Sequence, residues 1–507
     1  MSVHAKRLGV LLVRDMYGDV AGDIVQDIFW HGRRTAIQIS KSTKYDLKFV
    51  LKTLLILIQV GLVQWYANYY IVPYHHALRL LRFGSMMRYA EAYGPGAEKV
   101  VRLLLTYGSL EKARIPAELE PLVTKMSADY FIVSLNRVRY TPCSHIYDEL
   151  ERAALQSIPL KSSISEAKRQ QEASASAIAA FRDVMSRHGK APGTGSIPLV
   201  LNHDRYLIRR RSEVLTELVS LRLGEVSASV FKALLCVLEP HLIRCRSDLP
   251  DFTKVVLPTL TDGGKSVATV QEILANMSEP DKAKLKQSIY EESPSTYKGR
   301  ELLLYRVSQH LEWLKRDKLK FVESLNGNLW AVDFNDLCDH VREHIYDERV
   351  QEKYGNLALR LLRVIRAKKM VDEKMLGKIA LVPSSEIRSL LTDMKLASCI
   401  ELQEVPRGNE RNPSSTFFLW YHNPVHAYNY LLDDVYKAME NQYATLIAER
   451  KKRSVLIAKM TREDIKANPE LLQPGERKEL KEYKEIEQSV LVQLGRLEKL
   501  AMIFRDF

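Results

Sequence analysis

Residues 354–421 read YGNLALRLLRVIRAKKMVDEKMLGKIALVPSSEIRSLLTDMKLASCIELQEVPRGNERNPSSTFFLWY, and this stretch decides the fold because its start, turns and end are all marked. After Gly355, Leu357, Leu361, Val364 and Ile365 recur at helical spacing and form one apolar stripe. Asp372 is placed to cap a second short helix, its carboxylate accepting orphan amide hydrogens, with Met375, Leu376 and Ile379 facing inward. Pro383 ends that helix, and Ser384 is placed to cap a third whose inward residues are Ile387, Leu390, Leu391 and Met394. Two alternating runs follow around a polar loop at 406–415: Ile400 and Leu402 against Glu401 and Gln403, then Phe417, Leu419 and Tyr421 against Phe418 and Trp420. Three short helices and a two-stranded ribbon make a winged helix, a helix-turn-helix variant.

The pattern recurs upstream. Tyr17-Gly18 stands where Tyr354-Gly355 does, Val20, Ile24 and Ile28 form a first stripe, and 35–40 supply a short second element. A third helix then places Leu47, Val50, Leu51, Leu54 and Ile58 inside; Gly61 caps it, and strands at 62–66 and 69–72 meet around Ala67-Asn68. Another copy opens at Tyr93-Gly94 with Val100, Val101 and Leu104, continues through Leu119, Leu122, Val123 and Met126, and has its wing at 130–138. Residues 157–198, rich in Ser, Ala, Gln and Lys, read as a helix-prone linker. A further winged helix follows, with Val214, Leu215, Leu218 and Val219 on one helix, Leu303, Val307, Leu311 and Leu314 on another, and Asn326-Gly327 as its hairpin turn. The irregular stretch 245–298 reads as an insertion in it. From Val425 the spacing of Leu432, Tyr436, Met439, Tyr443 and Leu446 is that of a coiled-coil seam, and Ile486, Val490, Leu494 and Leu497 mark a second helix folding back on it.

The expected fold is therefore mainly α: four tandem winged-helix domains, each with a small β wing, arranged on a C-terminal antiparallel coiled-coil stalk. The expected divisions are winged helix 1 at 1–78, winged helix 2 at 79–156, a linker at 157–198, winged helix 3 at 199–350 with its insertion at 245–298, winged helix 4 at 351–423, and the hairpin at 424–507. A chain of 507 residues can bury several separate cores, and 46% hydrophobic with 27% charged residues is ordinary globular composition. Five cysteines, Cys143, Cys236, Cys245, Cys338 and Cys399, form no CxxC pair and signal neither a disulfide framework nor zinc, which fits a reducing compartment. The most apolar run, 47–66, carries Lys48 and Lys52 and reads as an amphipathic helix, not a membrane span; no signal peptide is expected.

Catalytic motifs are weak. His340-Val341-Arg342-Glu343-His344 matches HxxEH, but five-residue motifs recur by chance and the surrounding helix is charged around much of its circumference. Gly263-Gly264-Lys265-Ser266 resembles the end of a phosphate-binding loop, yet Thr259 stands where its first glycine should be. No cofactor and no metal are expected. The surviving signal is electrostatic. The net charge is +13, and between Ile28 and Lys52 the six cations Arg33, Arg34, Lys41, Lys44, Lys48 and Lys52 face one acid, Asp46. On a winged helix such a face meets DNA phosphates; a solvated basic face or a docking surface for an acidic subunit is the alternative. Arg407 and Arg411 in the last wing are candidates of the same kind, and Arg209-Arg210-Arg211 reads as a nuclear import signal.

Several segments resemble one family. Leu402-Gln403-Glu404-Val405-Pro406 and 412–420 (NPSSTFFLW) resemble the last winged helix of the RNA polymerase III subunit that is the largest member of its three-subunit initiation subcomplex. Tyr17-Gly18-Asp19-Val20, the segment 54–65 (LLILIQVGLVQW) and Leu78-Arg79-Leu80-Leu81-Arg82-Phe83 resemble that family's first domain and its exit. Asn202, Asp204, Arg205 and Tyr206 resemble the entry to its third. The resemblance covers most of the chain in collinear order and is poor at 157–198 and 245–298. It implies a nuclear, non-catalytic polymerase subunit that helps promoter recognition and DNA opening for transfer RNA, 5S ribosomal RNA and other small RNAs. The implied partners are promoter DNA, the polymerase clamp, a second winged-helix subunit and an acidic subunit. A stand-alone DNA-binding regulator is the alternative.

Overall fold

The computed structural model describes residues 2–158, 166–190, 197–242, 244–245, 260–261, 264–265, 267–287, 299–325, 328–406, 416–460, 462–467 and 472–507. It is mainly helical, with small sheets of two or three strands. Among the described residues no helix is long and apolar enough to cross a membrane. The chain forms two compact units, Lys6–Leu337 with Asp506–Phe507, and Met1–Ala5 with Cys338–Arg505.

The first unit opens with a helix the repeat pattern does not signal, Val3–Tyr17, which buries Leu8, Leu12 and Val13. Asp19–His31 buries Ile24 and Ile28 as expected, and Thr35 starts Ala36–Thr43 with a capping box to Gln38. Helix Leu47–Val60 corrects the expected phase: Val50, Leu54 and Leu57 point inward, while Leu47 and Leu51 lie on the outer surface. The helix carries more apolar residues than one stripe holds, so periodicity alone does not select the buried set. Strands Gln64–Tyr66 and Tyr69–Ile71 pair with Trp65 opposite Tyr70, and Ala67 and Asn68 both take positive φ, as a type I′ turn requires.

The next winged helix comprises Ala97–Tyr107, Glu120–Ala128 and strand Ile132–Ser134. Its strand pairs with Leu199–Leu201, on the far side of the segment expected as a linker, while Arg137–Arg139 makes a 3-10 turn. Much of the intervening chain is packed helix: Phe181 and Met185 of Glu166–Lys190 meet Ile146 and Tyr147 of Cys143–Ser157. A polar, alanine-rich helix looks like a linker because its buried face is narrow.

In the third, Glu225–Leu238, Val270–Asn276 and Arg300–Arg316 pack beside the sheet Val267–Thr269, Leu329–Ala331, Glu323–Leu325. The stretch read as an insertion thus contributes a strand and two helices to the domain, Val270–Asn276 and Glu279–Gln287, with Thr269 and Glu272 forming a second capping box. Leu325 pairs with Leu329 across the expected hairpin, whose Asn326-Gly327 turn lies outside the described residues. The phosphate-loop candidate also lies partly outside them; its described residues Gly264–Lys265 pair with Leu260–Thr261 in a short antiparallel ribbon.

The second unit holds the winged helix quoted first. Gly355, at φ 86, breaks the helical path of Phe334–Lys368. Asp372 caps Glu373–Ala380 through Met375 N at 3.1 Å, but Met375 and Ile379 are exposed, so Leu376 and Ala380 supply the inward face. Ser384–Leu396 has Ser384 as its first helical residue and Pro383 at the N-cap, which corrects the cap position expected of Ser384. Strand Met370–Asp372 adds to the ribbon Glu401–Pro406 and Thr416–Tyr421, making three strands with Thr416–Tyr421 central. Helices Pro424–Lys452 and Pro474–Arg505 pack antiparallel, with Tyr428 against Phe504 at one end and Arg450 paired to Glu487 farther along.

Leu54→Ala should cost about 2–5 kcal/mol and Leu51→Ala only a few tenths, read as denaturant midpoints. His310 is buried, its Nδ1 2.9 Å from Ser227 Oγ, and burial with Arg306 nearby lowers its pKa to about 4. A lowered histidine pKa means that the unfolded chain takes up the proton first, so stability falls as pH drops below about 6.5 toward 4. Between pH 7 and 5 this residue should account for about 2 kcal/mol of lost stability. Urea titrations of His310→Gln should show a correspondingly flatter pH dependence than the parent chain.

Candidate nucleic-acid interface

Five of the six expected cations in the first domain are surface groups. Arg33, Lys41, Lys44, Lys48 and Lys52 are exposed on the turn and on helices Ala36–Thr43 and Leu47–Val60. Lys44 ends the first of these helices in a left-handed conformation, φ 61, and the turn is fixed by Ser40 Oγ donating to Tyr45 O at 2.8 Å. Tyr45 in turn donates from its hydroxyl to Asp23 Oδ2 at 2.8 Å. Arg34 belongs to the fold instead. Its Nε lies 3.5 Å from the buried carboxylate of Asp27, which also meets His31 Nδ1 at 2.9 Å, and its backbone bridges to Tyr70 of the wing. A guanidinium held this way is a poor phosphate contact, because releasing it would leave Asp27 buried without that partner.

The face carries a second component that the charge count does not reveal. Phe49, Leu51, Leu55 and Ile56 are exposed on the same helix, and Ile37 on the one before. At about 100° per residue, Lys48 and Lys52 lie between Leu51 and Leu55 on one side and Phe49 and Ile56 on the other. The signal was present in the string LKFVLKTLLILIQV, which is too apolar to have only one buried stripe.

Other candidates fare differently. Arg407 and Arg411 lie outside the described residues. Arg209, Arg210 and Arg211 sit inside helix His203–Leu223, which corrects the import-signal reading: an import signal must be accessible. Arg211 is 1% exposed, with its guanidinium carbon 4.0 Å from the centre of the Phe334 ring. Arg209 binds Asp129 at 2.9 Å and Glu239 at 2.8 Å, and Arg205 joins the same acids. In the HxxEH segment, Glu343 accepts from Arg366 at 3.0 Å and Arg342 pairs with Asp339; among the described residues no three His, Cys, Asp or Glu side chains gather as a metal site. His422 Nδ1 is engaged by Cys399 O at 2.7 Å and His426 by Glu401 at 2.6 Å, so the two rings have separate duties. Trp330 is buried in its wing while Trp65 is exposed on its own.

Three stretches, in chain order, match models of a single polymerase subunit. Residues 7–68 match the RNA polymerase III subunit RPC82 helix-turn-helix domain, 122–341 match RNA polymerase III subunit RPC82, and 347–422 match the POLR3C C-terminal winged-helix domain. The chain belongs to the RPC82 family of RNA polymerase III subunits. A DNA-directed RNA polymerase III subunit RPC3 of Yarrowia lipolytica is 27% identical over 98% of this chain and 97% of its own length. The subunit of the same name from Debaryomyces hansenii is 23% identical over 98% and 96%. The corresponding subunit of Emericella nidulans reaches 37% identity over 40% of this chain and 33% of its own. The 245–298 stretch, poor in the resemblance, falls within the longest matched segment.

If the five exposed cations meet phosphates, the log-log salt slope of DNA binding should be near −4.5. The triple change Lys44→Glu, Lys48→Glu and Lys52→Glu should weaken binding and flatten that slope to about −2, with an unchanged melting temperature. Fluorescence anisotropy across a salt series checks both; equal slopes would remove these lysines from the interface.

Proposed function

We propose that this chain is a non-catalytic subunit of RNA polymerase III, acting in promoter-dependent initiation and DNA opening during synthesis of transfer RNA, 5S ribosomal RNA and other small RNAs. The observation that carries the reading is the collinear match of three separate segments to one subunit, together with relatives of that name aligned over nearly the whole chain. In this reading the nucleotidyl chemistry belongs to other subunits, and the site of action is the nucleus.

The proposed partners are the polymerase clamp, a second winged-helix subunit, an acidic subunit and promoter DNA, single- or double-stranded. The mixed face of the first domain supports two of them. Its lysines suit phosphates or carboxylates, whereas Leu51, Leu55 and Phe49 gain only from a surface that takes them out of water. An acidic partner with apolar side chains satisfies both demands, and the lysines at its edge remain available to DNA.

A tagged copy expressed in its native cells should co-purify with the large polymerase subunits in equal amounts, as read by native mass spectrometry. Recovery as a free monomer or dimer that binds one defined duplex sequence would instead establish a stand-alone regulator.

A further inference from the structure

In the second unit, residues 368–381 (KKMVDEKMLGKIAL) run through strand Met370–Asp372 and helix Glu373–Ala380 to the residue that closes that helix. Periodicity alone turns Met375 and Ile379 toward the core, but both lie on the surface, 48% and 36% exposed. At about 100° per residue these two form one stripe, with Lys374 and Lys378 in the neighbouring stripe. Leu376 and Ala380 hold the other side of the helix in the core.

The apolar stripe ends in an outlier. Leu381 takes a left-handed conformation, φ 55 and ψ 46, its amide donating to Gly377 O, and its side chain is 82% exposed. Glycine is the usual residue in that conformation at a helix end, because a Cβ there crowds the following carbonyl. A leucine that accepts this backbone and leaves its side chain in water gains nothing within the fold.

The charges beside it are one-sided. The segment's two acids are engaged internally: Asp372 accepts from Met375 N at 3.1 Å as the N-cap, and Glu373 accepts from Arg388 Nε at 2.7 Å. Lys368, Lys369, Lys374 and Lys378 are all exposed, and among the described residues none of the four makes an ion pair.

This combination selects among occupants. Nucleic acid would answer the lysines and leave Met375, Ile379 and Leu381 wet, and the helix that a winged helix lays in a DNA groove is the next one, Ser384–Leu396. That helix carries only Arg388 and Lys395 as cations, against Glu386 and Asp393. A second copy of the same face would bring like charges together. A surface with apolar side chains and carboxylates side by side satisfies both stripes.

We propose that this face docks an acidic, apolar segment of another protein, whose aliphatic or aromatic side chains cover Met375, Ile379 and Leu381 and whose carboxylates meet Lys374 and Lys378. The docking face uses none of the lysines of the first domain, and its chemistry is independent of the polymerase assignment.

Zero-length carbodiimide coupling, which joins a lysine amine only to a carboxylate in contact with it, tests the face on the tagged full chain recovered with its native partners. Mass spectrometry should find Lys374 or Lys378 joined to an Asp or Glu of a different protein, within one helical turn of a Leu, Ile, Met or Phe. Lys374→Glu combined with Lys378→Glu should roughly halve the salt concentration at which that protein dissociates. Leu381→Gly removes the apolar contact where the backbone favours glycine, so it should also ease dissociation while the melting temperature is unchanged or raised. Coupling of these lysines to a second copy of this chain, no coupling there while other exposed lysines couple, loss of the joined protein on nuclease digestion, or unchanged dissociation in both variants would each overturn the assignment. The presence or absence of large polymerase subunits in the same preparation decides the polymerase reading separately.

Discussion

The first unit depends on one backbone contact. Gly108, at φ +74, lies so close to the end of helix Leu47–Val60 that a Cβ would stand 2.4 Å from Gln59 O and 2.5 Å from Val60 Cα. No other residue fits there without moving a helix. Arg139 fastens the approach from outside: it donates to Val60 O and Gly108 O at 3.1 Å each and to Leu201 O at 3.4 Å. Two of these carbonyls belong to helix C-terminal ends, where a cation complements the dipole. Burial, with Arg79 nearby, lowers the Arg139 pKa only to about 10, so the group stays charged at neutral pH. The same side chain thus ties the first winged helix, the second, and the returning strand Leu199–Leu201.

A second knot lies near the same Ile132–Leu201 end of that strand's sheet. Asp129, at the end of Glu120–Ala128, accepts from Tyr93 and from Arg205 and Arg209, and Glu239 closes the group from beyond Glu225–Leu238. Neither acid could sit where it does without the arginines, since an isolated buried carboxylate is costly and a paired one is tolerable. These ties redistribute the net charge. Arg34, Arg205 and Arg209 serve internal acids and Arg211 an aromatic ring. Within the cation cluster of the first domain, the groups left exposed are therefore lysines, with Arg33.

What was legible in the sequence follows from range. The fourth winged helix could be read from 354–421 because its caps, stripes and strands are local, as Asp372 and the Glu401–Pro406 strand show. The winged-helix class and the helical C-terminal hairpin followed from such local signals, and the family from the resemblance of short segments such as 412–420. What failed was long-range or over-determined. Leu199–Leu201 pairs with a strand more than 60 residues earlier, and Val267–Thr269 joins a sheet across a stretch with weak periodicity. Leu47–Val60 is apolar on several faces, so its phase is set by neighbours and not by its own pattern. At the candidate interface the exposed lysines were readable as a charge cluster, whereas the role of Arg34 needed Asp27 and Tyr70 to be placed beside it.

The outward face of Leu47–Val60 then poses a physical question that charge alone does not answer. Exposed lysines cost nothing in water, but Phe49, Leu51, Leu55 and Ile56 are about half exposed and each forgo about half of the 1.5–3 kcal/mol that full burial gives. DNA phosphates would answer the lysines and leave these side chains wet. A protein surface answers both, and the division of labour is the usual one: charges steer the encounter and sustain specificity, while the apolar centre slows dissociation. In that arrangement Lys48 and Lys52 sit among the apolar residues rather than at the margin, so they need carboxylates opposite them, because a lysine desolvated without a partner would cancel the gain from its neighbours. A protein surface that covered this helix would therefore have to be apolar along two flanks and acidic between them.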